Sequence, residues 1–262
     1  MRSAFSWIAL LRGVGGVVVL LAIWEGFARS GMFSTAMTPP VEAIGQTLWR
    51  TLADGSLIEN AGATLLRVFI GLSVSFALAV PLGVLMARSW VAERFFQPVI
   101  SVLMPIPSLA WVPLFVLWVG IGNFATILVV IYASSFPLIY SVWTGVRAVN
   151  PLWLRAATVM GADETILVRK VIWPGSLPYV ITGLRLAFGR AWIGVIGGEL
   201  LASPQLGLGE IIFNAKEFLE ASVMLSTLIA IGAIGVFFER YVFQTLEGAT
   251  VRRWGMMAGP KL

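Results

Sequence analysis

Apolar runs about as long as a bilayer is thick recur along this chain, and they restrict its fold more than any other feature. They lie near residues 13–30, 64–86, 98–119, 124–146, 179–202 and 223–243. About 20 apolar residues wound as an α-helix cover roughly 30 Å of hydrocarbon, and only a helix or a closed barrel satisfies its own backbone there. Composition agrees, with 58% of residues hydrophobic and 12% charged, against about 25% charged in ordinary soluble domains. The expected fold is therefore an all-α membrane protein, a single domain over residues 1–262 with six transmembrane helices. Pro81, Pro105, Pro107, Pro113 and Pro137 predict kinks in the second, third and fourth spans, where neighbouring helices re-satisfy the freed carbonyls.

Orientation follows from charge. With the N-terminus inside, twelve of the 18 Lys and Arg fall on inner segments, while only Arg29, Arg50, Arg67 and Lys216 fall outside and Arg185 and Arg190 lie within the fifth span. Basic residues are retained on the cytoplasmic side, so both termini and the loop 147–178 are expected there. Arg2 and Arg12 before a short apolar core also fit a signal peptide. Trp24 and Glu25 make a poor approach to a small-residue cleavage site, and the later spans need an N-in start, so a signal-anchor is the better reading.

Absences narrow the chemistry. The chain has no His and no Cys, which excludes thiolate nucleophiles, imidazole bases and the usual zinc sites. No G-x-x-x-x-G-K-[ST] loop occurs, so ATP is not bound here by that route. No catalytic residue and no metal site is expected, and energy coupling must come from a partner. The net charge of +5 is spread over several inner segments. Topology and anionic membrane lipid account for it without nucleic acid.

Outside the spans the chain is sparse. Thr38-Pro39-Pro40 followed by Val41, Ile44, Leu48 and Leu52 predicts a short amphipathic helix lying along the membrane, and Asp54-Gly55 predicts a turn. The loop 203–222, with Gly207, Gly209, Glu210, Glu217 and Glu220, is expected to face a soluble partner.

Between the fourth and fifth spans lies a polar island, RAATVMGADETILVRKVIWP at 155–174. Asn150-Pro151 is an N-cap with proline at the first helical position, starting a helix to about Met160. Gly161 can take the left-handed conformation that ends it. Asp163 then caps a second helix to about Trp173, where Pro174 breaks it. Val159 and Met160 are apolar, and Ala156 and Ala157 permit close backbone approach, so this knob suits a groove on another protein. The alternative is an amphipathic loop resting on lipid headgroups.

Within the membrane the most informative residue is Arg190. A charge at a span centre costs about 2.5–3.5 kcal/mol on insertion scales, so it faces a partner or an aqueous cavity, where it would attract an anion. The structural alternative pairs it with Glu199 or Glu25. Glu199 lies nine residues on, a rise of about 13.5 Å, so a pair within one helix is excluded. Further pathway candidates are Ser108, Trp111, Ser134, Ser135, Tyr140, Thr182, Trp192 and Glu199 itself. Serine hydroxyls in helices usually bond the carbonyl one turn back. Gly194 and Gly198 form a small-residue face suited to close helix packing.

The island's spacing, Ala156-Ala157, then Gly161, Val171 and Pro174, resembles the cytoplasmic EAA loop of ABC-importer membrane subunits. The likeness extends along the chain: Thr38-Pro39-Pro40, Asp54-Gly55-Ser56-Leu57, Leu66-Arg67-Val68, Ile106-Pro107-Ser108-Leu109-Ala110-Trp111-Val112-Pro113-Leu114, Ser135-Phe136-Pro137, Leu177-Pro178-Tyr179, Gly183-Leu184-Arg185-Leu186-Ala187 and Gly207-Leu208-Gly209 occur in the order of the nitrate/sulfonate/taurine branch of type I permeases. What the resemblance implies is a homodimer of permeases in the bacterial inner membrane, a cytoplasmic ABC ATPase dimer that binds ATP and Mg, and a periplasmic solute-binding protein. It implies that Arg155, Ala156, Ala157, Val159, Met160, Gly161, Ala162, Asp163, Val171 and Pro174 couple to the ATPase. It also implies alternating access that moves a small anion such as nitrate, a sulfonate or a carboxylate inward. Arg155 stands where the family has an acidic residue, Val171 for its Ile and Trp173 for its Leu. A secondary transporter or channel without an ATPase is the alternative, and an intramembrane enzyme is disfavoured by the missing His, Cys and paired carboxylates.

Overall fold

The computed structural model describes residues 4–202 and 204–250, with side chains over 15–202 and 204–248. The chain ends, and with them Arg2, Arg252, Arg253 and Lys261 of the orientation argument, lie outside the described residues, as does the Arg12 side chain. Helices account for the regular structure, and no strand occurs among the described residues.

Helix α1 (Ala4–Arg29) exposes Val17, Val18, Val19, Leu20 and Ile23, an apolar surface that suits lipid. It is tied back by Trp24 Nε1 donating to the Pro39 carbonyl at 3.0 Å and by the Val41 N–H donating to Glu25 at 2.8 Å. The expected amphipathic helix is α2 (Val41–Ala53). Its apolar side is turned onto the protein, with Ile44 buried and Leu48 against the main core, beside α11 (Ala221–Phe237). At the Asp54-Gly55 turn, Gly55 has φ +81° and the Ser56 hydroxyl and N–H hold the Asp54 carboxyl below its ordinary range.

Helices α3 (Ser56–Arg88) and α6 (Asn123–Arg147) cover the second and fourth predicted spans and run unbroken through Pro81 and Pro137. The third predicted span, 98–119, is corrected in its start only, and the kink expected within it is a full break. Helix α4 (Trp90–Leu103) starts earlier, capped by Ser89, and is separated from a 3₁₀ turn (Ser108–Trp111) and α5 (Val112–Val119) by a 90° bend. Pro105 and Pro107 both lack an N–H and both push the preceding residue out of the helical region. A single proline leaves one bond unmade, whereas this pair removes a whole turn.

The polar island holds α7 (Pro151–Val159) and α8 (Glu164–Ile166), which passes through a π-helical turn (Leu167–Ile172) into α9 (Trp173–Ala202). The break expected at Pro174 is therefore also corrected, since Glu164–Ala202 is one continuous 39-residue helix. The wider π turn just ahead of Pro174 absorbs its missing donor and gives its ring room against the preceding turn. The chain closes with α10 (Leu208–Glu217), α11, a second π turn (Phe238–Phe243) and α12 (Gln244–Thr250). Among the described residues four helices are long and apolar enough to cross a membrane, or five if the bent pair is one span.

Helix α6 lies between α3 and α9, and their contact forms the main core, with Val68, Val130, Leu138, Val142 and Val195 fully buried. The Gly194/Gly198 face is used inside the chain. A Cβ on either glycine would stand 3.2 Å from Ala133 or Thr126 of α6, closer than side chains normally pack.

Candidate functional site

The polar island is built from local signals. Asn150 Oδ1 accepts from the Leu152 N–H at 2.9 Å, Pro151 occupies the first helical position, and α7 ends where Gly161 takes φ +85°. Asp163 Oδ1 then accepts from the Ile166 N–H at 2.7 Å. Between the two helices Val159 is 88% and Met160 84% exposed. Arg155, Ala156, Gly161 and Asp163 are exposed, whereas Ala157, Ala162, Val171 and Pro174 are half-buried. Leu154 and Val168 pack on the main core and Ile172 is buried, so the knob stands on a fixed base. Arg88 of α3 bonds Glu164 at 2.6 Å, and Arg147 of α6 pairs with Glu93 of α4. Exposed pairs of this kind contribute about 0–1 kcal/mol each, so they position more than they stabilise.

A second concave region surrounds Arg190. Its exposed side chain makes no hydrogen bond or ion pair among the described residues, and it lines a cavity of about 410 Å³ with Ser108, Tyr132, Phe136, Leu186 and Ile193. The wall opposite α9 is the bend at Met104, Pro105, Ile106 and Pro107, so the break in the third span is what makes room there. Neither proposed carboxylate partner reaches Arg190 within the chain: Glu25 is held by Arg29 and the Val41 N–H, and Glu199 by Arg67.

The remaining pathway candidates separate. Ser108 is on the Arg190 cavity wall. Trp111 packs on the rings of Tyr132 and Phe115 at 5.2 and 6.0 Å. Ser134 and Ser135 turn to the α3 seam, where both meet Ser75 and each bonds the carbonyl one turn back, as expected for helical serines. Tyr140 lines a smaller neighbouring cavity. Thr182 is exposed, and Trp192 is buried against Phe188 and Gly235.

Sequence reasoning missed a buried polar cluster at the opposite end of the bundle. Arg67 of α3, counted there among outer-segment charges, is 5% exposed and pairs with the fully buried Glu199 of α9. Its Nε donates to Asn123 Oδ1 at 2.8 Å, and its other terminal nitrogen donates to the Leu206 carbonyl. Glu199 also accepts from Thr64 Oγ1 at 3.0 Å and from the Gly209 N–H at 2.8 Å, while Asn60 and Thr64 accept from the Gly207 and Leu208 N–H groups. The cluster pins the start of α10 to α3, α6 and α9. A charge inside an apolar run was the available signal for Arg67; its partner, 132 residues away, left none.

Comparison with known proteins adds to this geometry. A family model described as binding-protein-dependent transport system inner membrane component matches residues 79–244. The chain is 34% identical to a putative ABC transporter permease protein of Methanocaldococcus jannaschii, over 84% of each chain. It is 32% identical to the taurine transport system permease protein of Escherichia coli, over 86% of this chain and 84% of that one. Among solved structures, the MetNI methionine ABC transporter in inward-facing conformations superposes with a TM-score of 0.59 at 21% identity, covering 82% of this chain and 97% of that one. That likeness carries the fold alone.

Proposed function

This chain belongs to the family of binding-protein-dependent transport system inner membrane components, with the type I ABC importer permease fold, and on that premise we propose that it moves a small anionic solute inward by alternating access. Six spans, with α1 as the first and both termini cytoplasmic, form the membrane part. Two copies of the chain enclose the pathway, a periplasmic solute-binding protein delivers the solute, and an ATPase dimer binds ATP and Mg below. The observation that carries the reading is Arg190, a cation unpaired among the described residues, on the wall of a 410 Å³ cavity beside a broken helix. An anion is the ligand that offsets its cost in a membrane. A taurine-type sulfonate, by likeness to the taurine permease, is the first solute to try.

The island 147–178 docks on the ATPase through Val159 and Met160, whose exposure is otherwise unexplained on a helix end. Arg155, exposed on α7, then meets an acidic residue of the ATPase in place of the family's carboxylate. Nucleotide binding biases a two-state membrane element through this contact. The test is co-purification of the ATPase and ATP-driven uptake of labelled taurine with Gly161→Val. A β-branched residue at φ +85° is strained by about 1–2 kcal/mol, so the knob changes shape while the spans remain. Assembly and uptake should both fall; unchanged values for both would sink the docking role.

A further inference from the structure

Four polar side chains that make no hydrogen bond among the described residues line one small cavity beside the Arg190 chamber. It measures about 100 Å³ and is lined by Met86, Gln97, Ile100, Ser101, Met104, Ile139, Tyr140 and Trp143. The Trp143 indole N–H is buried with no acceptor. The side chains of Gln97, Ser101 and Tyr140 make no hydrogen bond among the described residues, in contrast to Thr126, Ser134 and Ser135 on α6, each of which bonds a carbonyl one turn back. A buried donor left unmade costs about 1–3 kcal/mol, so the Trp143 N–H calls for an acceptor, and the exposed side chains of Gln97, Ser101 and Tyr140 stand around the same cavity. Tyr140 and Trp143 are fixed edge-to-face, with ring centres 5.5 Å apart, and the Arg147 guanidinium lies 5.7 Å from the Trp143 ring.

The two cavities are consecutive. Ala133, Phe136 and Pro137 of α6 line the Arg190 chamber and Tyr140 and Trp143 the smaller one, positions three to four residues apart that form one helical stripe. Met104, at the end of α4 where the chain bends, lines both. We propose that the smaller cavity is a second station for the transported anion, held by the neutral donors of Trp143, Ser101, Gln97 and Tyr140 and separated from Arg190 by the Met104 side chain. The inference rests on the pathway reading above and extends it toward the α4 and α6 ends that carry Glu93 and Arg147.

The chemistry is that of an acceptor-rich headgroup, a sulfonate or a planar oxyanion. At roughly 30 Å³ per water, the volume holds about three waters or one such group. No charged side chain lines it. A full charge at every stage would trap the ion, whereas passage requires binding tight enough to enter and weak enough to leave, at more than one site. A neutral station after a cationic one meets that condition. Met104, unbranched and flexible, can swing aside without repacking a helix.

The chain has no cysteine, so single cysteines report cleanly. In inside-out membrane vesicles holding the full chain, Ser101→Cys and Ser108→Cys would be labelled with a sulfonate-bearing methanethiosulfonate and with its trimethylammonium counterpart. Adding Trp143→Phe, which keeps the ring and removes the donor, should slow the sulfonate reagent at Ser101→Cys at least tenfold and leave the cationic reagent unchanged. Adding Met104→Trp should slow the sulfonate reagent at Ser108→Cys at least tenfold. An anion-to-cation ratio indifferent to Trp143→Phe, or Ser108→Cys labelling indifferent to Met104→Trp, overturns the station. Labelling needs no ATP. Expected labelling without ATP-driven taurine uptake would overturn the importer reading and keep the station, and normal uptake with indifferent labelling would do the reverse.

Discussion

Neutralising Glu199 by Glu199→Gln tests whether the end of the bundle that carries α10 is held by charge. Arg67 and Glu199 are 5% and 0% exposed, so neither is solvated by bulk water when its partner is lost. Removing one member of such a pair leaves an uncompensated buried charge, which costs about 3–5 kcal/mol. The glutamine also turns an NH₂ toward either Arg67 or the Thr64 and Gly209 donors, so one of the bonds at 2.8 and 3.0 Å or the Arg67 bond is lost as well. At about 2–4 °C per kcal/mol for a chain of this length, thermal unfolding of the purified full chain in nanodiscs should drop by roughly 6–20 °C. Arg67→Met should do the same. The double variant should be less destabilised than the sum by at least about 2 kcal/mol, because the second substitution removes the charge stranded by the first. Additivity within about 0.5 kcal/mol would mean the two residues act independently, and the pair would then not be what holds α10.

Three further outcomes follow from the geometry. Arg190→Gln should lower taurine uptake at least tenfold while leaving the assembled complex intact on size-exclusion chromatography; loss of folded protein instead would assign Arg190 a structural partner. Val159→Asp with Met160→Asp, at sites 88% and 84% exposed, should shift unfolding by no more than about 0.5 kcal/mol yet reduce ATPase co-purification. Retained co-purification would mean that the knob is not the docking surface. Asn150→Ala removes the cap on Leu152, worth about 1 kcal/mol, so hydrogen exchange over 152–159 should quicken about fivefold with α3 unchanged. Equal protection there would show that packing of Leu154, not the cap, orders α7.

Local features were legible in the sequence to the residue. Asn150, Gly161 and Asp163 act at the positions where capping chemistry puts them, because a cap needs only neighbours within about four residues. Helices α3 and α6 end within two residues of the C-terminal limits expected for the second and fourth spans. The prolines were less legible. Pro81 and Pro137 leave their helices unbroken, Pro174 is absorbed by a π turn, and the Pro105/Pro107 pair bends the chain by 90°. Each proline removes one donor alike; whether the surrounding helices supply an alternative is decided by packing, which one residue's identity does not encode.

The sequence by itself determined that this chain lives in a membrane, which loop is its polar knob and how that knob is capped, since apolar length, charge count and capping are read along the chain. It also marked Arg190 as a charge needing a reason. Only the tertiary structure decided where that charge goes. Glu199 pairs with Arg67 across 132 residues, Ser134 and Ser135 turn to Ser75, and the bend at 104–107 opens the cavity that Arg190 lines. Each of these is a choice among partners brought together by the close packing of α3, α6 and α9, and a buried charge is assigned by which neighbour arrives within hydrogen-bonding distance, not by its place in the chain.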